Sequence, residues 1–265
     1  MKRWIPFLKR PKRVAVIRLN GVISAGRQGQ INDAALAPAI EKAFRRGKPV
    51  AVALCINSPG GSPVQSSLIA SRIRRLAEQH EIPVYAFVED VAASGGYWLA
   101  CAADRIHADK TSLVGSIGVI MASFGAHEFI ARHGIERRVY TAGENKSQLD
   151  MFRPEDPGDV ARIKQIGAEM HEAFIDHVKQ ARGKRLSDDP ELFTGAFWTG
   201  TRAVELGLVD GIGHLVPVMK RDFGDKLRFV LYGARRSLMR RFGMALTGEA
   251  LAAMEERALW ARFGM

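Results

Sequence analysis

Residues 50–62 read Val-Ala-Val-Ala-Leu-Cys-Ile-Asn-Ser-Pro-Gly-Gly-Ser. The first seven, 50–56, form an unbroken apolar run of strand length, the pattern of a parallel strand covered on both faces. The polar turn Asn57-Ser-Pro-Gly-Gly-Ser62 ends it, and a helix is predicted over about 64–80. The same strand–turn–helix unit recurs on either side. Upstream, 14–19 reads as a buried strand ended by Asn20-Gly21, followed by a helix over 33–46 capped by Asp33 and ended by Gly47. Downstream, 84–88 is a strand and Ala93-Ser-Gly-Gly-Tyr97 a tight turn into a short helix ending near Ala103. Strand-like segments follow at 105–107, 116–121 and 137–141. A long helix is expected over about 155–182, with Ile163, Ile166, Met170, Phe174 and Val178 on one face. Strand–helix alternation of this kind specifies a layered α/β domain with a mostly parallel sheet. Residues 14–214 read as one such domain, and those from 215 to 265 as a basic amphipathic helical extension.

The 265 residues are 47% hydrophobic and 25% charged, an ordinary globular balance that excludes a disordered or collagen-like chain. The two cysteines, Cys55 and Cys101, sit in apolar segments without metal-ligand spacing and read as buried thiols. No apolar run of transmembrane length and no secretory signal is visible, so the expected compartment is the cytosol, with a peripheral place on the inner membrane face as an extension of that reading.

The net charge of +11 is unevenly placed. Residues 1–13, a basic arm, hold six basic residues and no acid; 215–265 carry a net +5, and 14–214 are neutral. A nucleic-acid-binding domain concentrates charge on its folded body, so nucleic acid is an unfavoured partner. Both ends interleave Arg and Lys with Trp4, Phe7, Phe229, Leu231, Met239 and Phe242. Two readings stay open for them. They suit an anionic membrane surface, and equally a tail packing on the same chain or on a neighbouring subunit.

In open α/β sheets ligands sit beyond the carboxyl ends of the strands. Two glycine-rich turns fall there, Pro59-Gly60-Gly61 and Ser94-Gly95-Gly96. Paired glycines let a backbone approach a ligand closely, although strand-to-helix turns also use glycine for geometry alone. Ser94 stands at the mouth of a helix, where free N–H groups favour developing negative charge. A plain N-cap serine accounts for it equally well. A serine nucleophile needs a base. None of the seven histidines lies in a glycine-rich turn, and each by itself reads as a surface or packing residue. The alternative base is a lysine held neutral by burial. By its local sequence alone, Lys146 in Thr141-Ala-Gly-Glu-Asn-Lys-Ser-Gln148 reads as a solvated loop lysine.

Five segments in order resemble the signal peptide peptidase A (protease IV) family: Asn57-Ser-Pro-Gly-Gly-Ser62, Ala92-Ala-Ser-Gly-Gly-Tyr-Trp98, Gly115-Ser-Ile-Gly-Val119, Gly143-Glu-Asn-Lys-Ser147, and Phe197-Trp-Thr-Gly200 with Ala203 and Gly207-Leu-Val-Asp210. Each is loose by itself; together they span about three quarters of the chain. The resemblance implies a Clp-protease/crotonase-like fold, a Ser-Lys dyad that hydrolyses peptides without a cofactor or metal, and ring-like homo-oligomers. It makes Ser94 the counterpart of the nucleophile and Lys146 that of the general base. Ser116 matches the serine that hydrogen-bonds the lysine, and the N–H groups of Gly61 and Gly95 match the oxyanion hole. The chain is expected to depart from larger members in having a single domain, which matters little if Ser and Lys come from one chain, and no membrane span, which bears on the usual substrate, signal-peptide remnants in the membrane.

Two other functions are weighed. A crotonase-type acyl-CoA enzyme also uses two backbone N–H groups, but it places carboxylates over the substrate where this chain offers Ser94. A non-catalytic membrane-associated scaffold would leave Ser94, Ser116 and Lys146 without a purpose. An ATP-dependent Clp-type peptidase needs a histidine near 116–121, where none occurs.

Overall fold

The computed structural model describes residues 11–25, 31–233 and 257–264. Most of the basic arm and the cationic cluster at 235–241 lie outside the described residues. The described chain divides into two compact units. Residues 1–117 with 177–265 form the first, and Gly118–Asp176 the second.

The first unit is built on one eight-stranded sheet. Its strands are β1 (Lys12–Asn20), β2 (Ala51–Ser58), β3 (Val84–Ala93), β4 (Arg105–Ala108), β5 (Leu113–Gly115), β6 (Phe197–Thr199), β7 (Gly211–Ile212) and β8 (Leu227–Tyr232). The spatial order is β6-β5-β3-β2-β1-β8, with β4 joining β3 to β7. Every pair is parallel except β5–β6. The apolar run at 50–56 is the central strand: Ala51 to Ile56 are all buried, as a strand with layers on both faces requires.

The helices are α1 (Asp33–Arg45), α2 (Pro63–His80), α3 (Gly95–Ala100), α4 (His127–Arg132), α5 (Pro157–Arg182), α6 (Gly200–Glu205) and α7 (Leu215–Phe223). Val218 and Met219 of α7 close a core with Val14, Val16, Ala53, Cys55, Tyr85 and Phe87 on one sheet face. Both cysteines are free and buried, and burial pushes the Cys55 thiol up to about 11 and Cys101 up to about 12.

Several local expectations need correction. The cap of α1 is Asn32, whose side chain accepts from the Ala35 N–H at 2.9 Å. Asp33 lies inside the first turn and is held bidentately by Arg72 at 2.7 Å. The strand expected at 116–121 ends at Gly115, because Ser116 takes a φ of 52° that turns the chain out of the sheet. Residues 137–141 are not a strand. The described part of the extension after 214 is not all helical: α7 is followed by Leu227–Tyr232, a strand pairing in parallel with β1. Leu227 and Phe229, two residues apart, both pack against the core, a period-two pattern that fits a pleat and not a helix. The short elements β6, α6 and β7 carry too few residues to show a period in the sequence.

The second unit contains α4 and the start of α5. Among its described residues only Phe174 is buried, and Phe124 and Tyr140 are 84% and 91% exposed. The apolar face expected on α5 is therefore buried only at its C-terminal end, at Phe174 and Val178.

Candidate active site

The two glycine-rich turns meet beyond the ends of β2 and β3. A methyl group added to Gly60 would lie 2.8 Å from both the Gly95 nitrogen and the Ser94 Cβ, so the turns are in direct contact. Gly61 forms a parallel bridge with Ile23, fixed on both sides: Ile23 donates to the Gly60 carbonyl at 2.8 Å, and Ser62 to the Ile23 carbonyl at 2.8 Å. Alternation along an extended segment then turns the Gly61 N–H away from Ile23. The Gly61 nitrogen lies close to Gly95, where a methyl group would sit 3.4 Å from it and 2.5 Å from Ser66 Oγ. The Gly95 N–H belongs to the first turn of α3, where amides have no partner one turn back.

Ser94 precedes α3 with φ 50° and ψ −122°, a conformation that favours glycine. Its hydroxyl makes no capping hydrogen bond. The plain N-cap reading therefore does not describe this serine. The backbone is held in place from both directions: the Ser94 N–H donates to the Gly115 carbonyl at 2.8 Å, and the Tyr97 and Trp98 amides donate to the Ser94 carbonyl at 2.9 and 3.0 Å.

The helix behind Ser94 is anchored by a buried polar network. Tyr97 donates its hydroxyl to the Leu208 carbonyl at 2.7 Å. Arg182, with a side chain 1% exposed, grips Asp210 through two bonds of 2.8 and 3.0 Å and the Gly207 carbonyl at 2.8 Å. Burial alone would raise the Asp210 carboxyl. The Arg182 guanidinium and the Ile106 N–H outweigh it and hold the group below the ordinary aspartate value. This anchor includes Asp210 of the quoted motifs, but sequence reading gave no role to it or to Arg182. A lone arginine on a charged helix carries no signal of burial.

Ser116 is buried, follows directly on Gly115, and donates its N–H to the Ala196 carbonyl at 2.7 Å. Ser94, Ser116, Gly61 and Gly95 thus lie in the first unit. Lys146 lies in the second, exposed, in the turn that its own N–H closes onto the Gly143 carbonyl at 3.2 Å. Two histidines of the first unit have packing roles. His107 stacks near Tyr85 and Phe87, and His177 stacks on Trp98 with ring centroids 4.5 Å apart.

The layered α/β unit with its mostly parallel sheet has the Clp-protease-like fold, and it sets a strained serine at a helix mouth beside two glycine turns. Residues 76–222 match peptidase family S49. The chain belongs to that family. It is 46% identical, over 100% of its own length, to 39% of a protein of Brucella melitensis named Na(+)/H(+) antiporter NhaA. It is 31% identical, over 77% of its length, to 31% of the chloroplastic serine protease SPPA of Arabidopsis thaliana. The chain thus spans well under half the length of either relative. Among solved structures it resembles a point mutant of the 1510-N membrane-bound stomatin-specific protease. That match has a TM-score of 0.52 at 14% identity and covers 84% of this chain and 99% of the other, a likeness of fold.

Proposed function

We propose that the chain is a serine peptidase that hydrolyses extended peptides with a Ser-Lys dyad. The observation that carries the reading is Ser94: strained at the start of α3, free of any capping bond, and adjacent to two glycine amides. Strain of this kind persists only where the surroundings over-determine it, and it clusters at functional sites.

In this reading Ser94 Oγ attacks the peptide carbonyl and Lys146, as the free amine, takes its proton. Ser116 accepts from the amine and orients it. The N–H groups of Gly61 and Gly95 hold the oxyanion, each donor worth on the order of 10²–10³ in rate. Lys146 then returns the proton to the leaving amine, and water releases the acyl group by the reverse path. No cofactor enters. Residues 14–214 are the catalytic domain, and the substrate pairs through its main chain with the exposed backbone at the site.

The match to protease relatives supports this chemistry. Ion antiport is not proposed: no helix among the described residues is long and apolar enough to cross a membrane, and the match covers 39% of that relative. A membrane-side role is part of the proposal. The basic ends bring the domain to an anionic membrane face from the cytosolic side, at about 1 kcal/mol per basic residue. Its substrates there are membrane-associated peptides such as signal-peptide remnants, and the working form is a homo-oligomer.

A fluorophosphonate probe tests the chemistry. Labelling of the wild-type protein at Ser94, lost in Ser94→Ala, is the expected result. Labelling elsewhere, or none alongside intact fold, overturns the assignment. Sedimentation with anionic vesicles tests the membrane part, which fails if full-length protein stays in the supernatant at low salt.

A further inference from the structure

On the α7 side of the sheet, beyond the first turn of that helix, the strand ends leave a groove of about 680 Å³. Arg18, Cys55 and Phe87 form one register row across β1, β2 and β3, and Leu113 of β5 continues the floor. Leu215 and Val216 of α7 make the wall. The rim is acidic. Glu89 and Asp109 are met by Arg18 at 3.1 Å and His214 at 3.3 Å, and Asp90 accepts from Asn57 at 2.5 Å.

One lining residue comes from far along the chain. Phe263, from the segment 257–264, lines this groove and sets its ring edge-on against Phe197, with centroids 5.1 Å apart and planes at 69°. The segment has helical residues at 257–261, carries Arg257 and Arg262, and has no acid, so its charge complements the rim. Phe197 is not an isolated surface ring. It pairs with Gly115 across β5–β6, and the carbonyl just before it, on Ala196, accepts the Ser116 N–H at 2.7 Å. A brace on Phe197 is therefore a brace on the residue that holds Ser116 at φ 52°.

We infer that the chain's own short aromatic, basic segment 257–264 docks at the edge of this groove through Phe263, and that this docking holds the Ser116 turn in its working conformation. Phe263 is then a positioning residue, acting on Ser116 through Phe197 and Ala196. The consequence for hydrolysis rests on the proposed role of Ser116. The binding itself does not.

The test uses the full chain with Phe263→Ala, and separately Val216→Glu, which places a charge on the groove wall. Hydrogen exchange at residues 113–117 reads the brace directly. Both variants should exchange the Ser116 amide about tenfold faster or more, because a local opening has been made easier. Peptide turnover should fall about tenfold in kcat with KM little changed, since small displacements of positioning groups cost up to about 10²-fold. A synthetic peptide of residues 257–265 should restore both readouts to Phe263→Ala and neither to Val216→Glu, and the same peptide carrying Phe263→Ala should restore nothing. Wild-type exchange rates at Ser116 in Phe263→Ala, or a synthetic peptide that fails to bind it, overturn the inference. If exchange responds as expected while even the wild-type protein cleaves no peptide, the groove stands and the peptidase reading falls.

Discussion

Ser94 hangs from Gly115. Its N–H donates to the Gly115 carbonyl at 2.8 Å, and the next residue, Ser116, turns away with φ 52° to meet the Ala196 carbonyl. One three-residue strand therefore sets the backbone of both serines, so the geometry of each depends on the end of β5.

Replacing Ser94 separates its chemical from its structural role. Ser94→Ala and Ser94→Gly should both lose peptide hydrolysis. Glycine adopts φ 50°, ψ −122° without strain, whereas alanine retains strain of about 1–3 kcal/mol. Glycine also costs about 0.5–1 kcal/mol in unfolded-state entropy, so Ser94→Gly should be the more stable of the two by about 1 kcal/mol. Urea titration of both variants decides it. A glycine variant less stable than alanine would mean that the backbone is relaxed.

Lys146 is exposed and closes only its own turn. Lys146→Arg and Lys146→Ala should leave stability within about 0.5 kcal/mol of wild type, as surface changes do. Both should abolish turnover, because a guanidinium does not release its proton in the working range and alanine has none to exchange. Steady-state assays with thermal melts make the comparison. Near-wild-type activity in Lys146→Arg removes the lysine from proton transfer.

At Gly61 the backbone stands at φ 136°, and a Cβ would overlap the Ile23 carbonyl oxygen. The blocking atom is main chain and cannot rotate aside. Gly61→Ala should cost about 3 kcal/mol or more, adding strain of about 1–3 kcal/mol to overpacking of a similar size. A loss below about 1 kcal/mol in chemical denaturation would show that the Ile23–Gly61 bridge yields.

The Arg182–Asp210 pair links stability to pH. The folded-state carboxyl of Asp210 lies below its ordinary value of 3.8, so the unfolded chain takes up its proton first as pH falls. The stabilisation is complete above that value and is lost as pH drops below it through the folded-state value. Arg182→Ala removes the two bonds to Asp210 and the one to the Gly207 carbonyl, leaving Asp210 to Arg185 at 3.1 Å and the Ile106 N–H, and should cost about 1.5–3 kcal/mol. Asp210→Asn should flatten the acid limb of the stability curve, measured as the denaturation midpoint between neutral pH and pH 3. An unchanged limb would place the acid sensitivity elsewhere.

Sequence alone determined the layered architecture, because its signals are local and strong. An apolar run such as 50–56 has one stable environment, a strand covered on both faces, and turns such as Asn57–Ser62 mark where it must end. The same locality made Ser94 and the glycine turns visible as candidates. Tertiary structure decided what locality cannot carry. Leu227–Tyr232 became a strand because β1 offers it a parallel partner more than 200 residues earlier, and a short apolar segment takes the period of whatever it packs on. Ser116 left the sheet because Ala196, distant in sequence, supplies its hydrogen-bond acceptor. Arg182 is buried because Asp210 and the Gly207 carbonyl satisfy its charge and its donors. A long-range partner leaves no periodic trace in the residues it stabilises, and only the folded chain shows which acceptor each donor found.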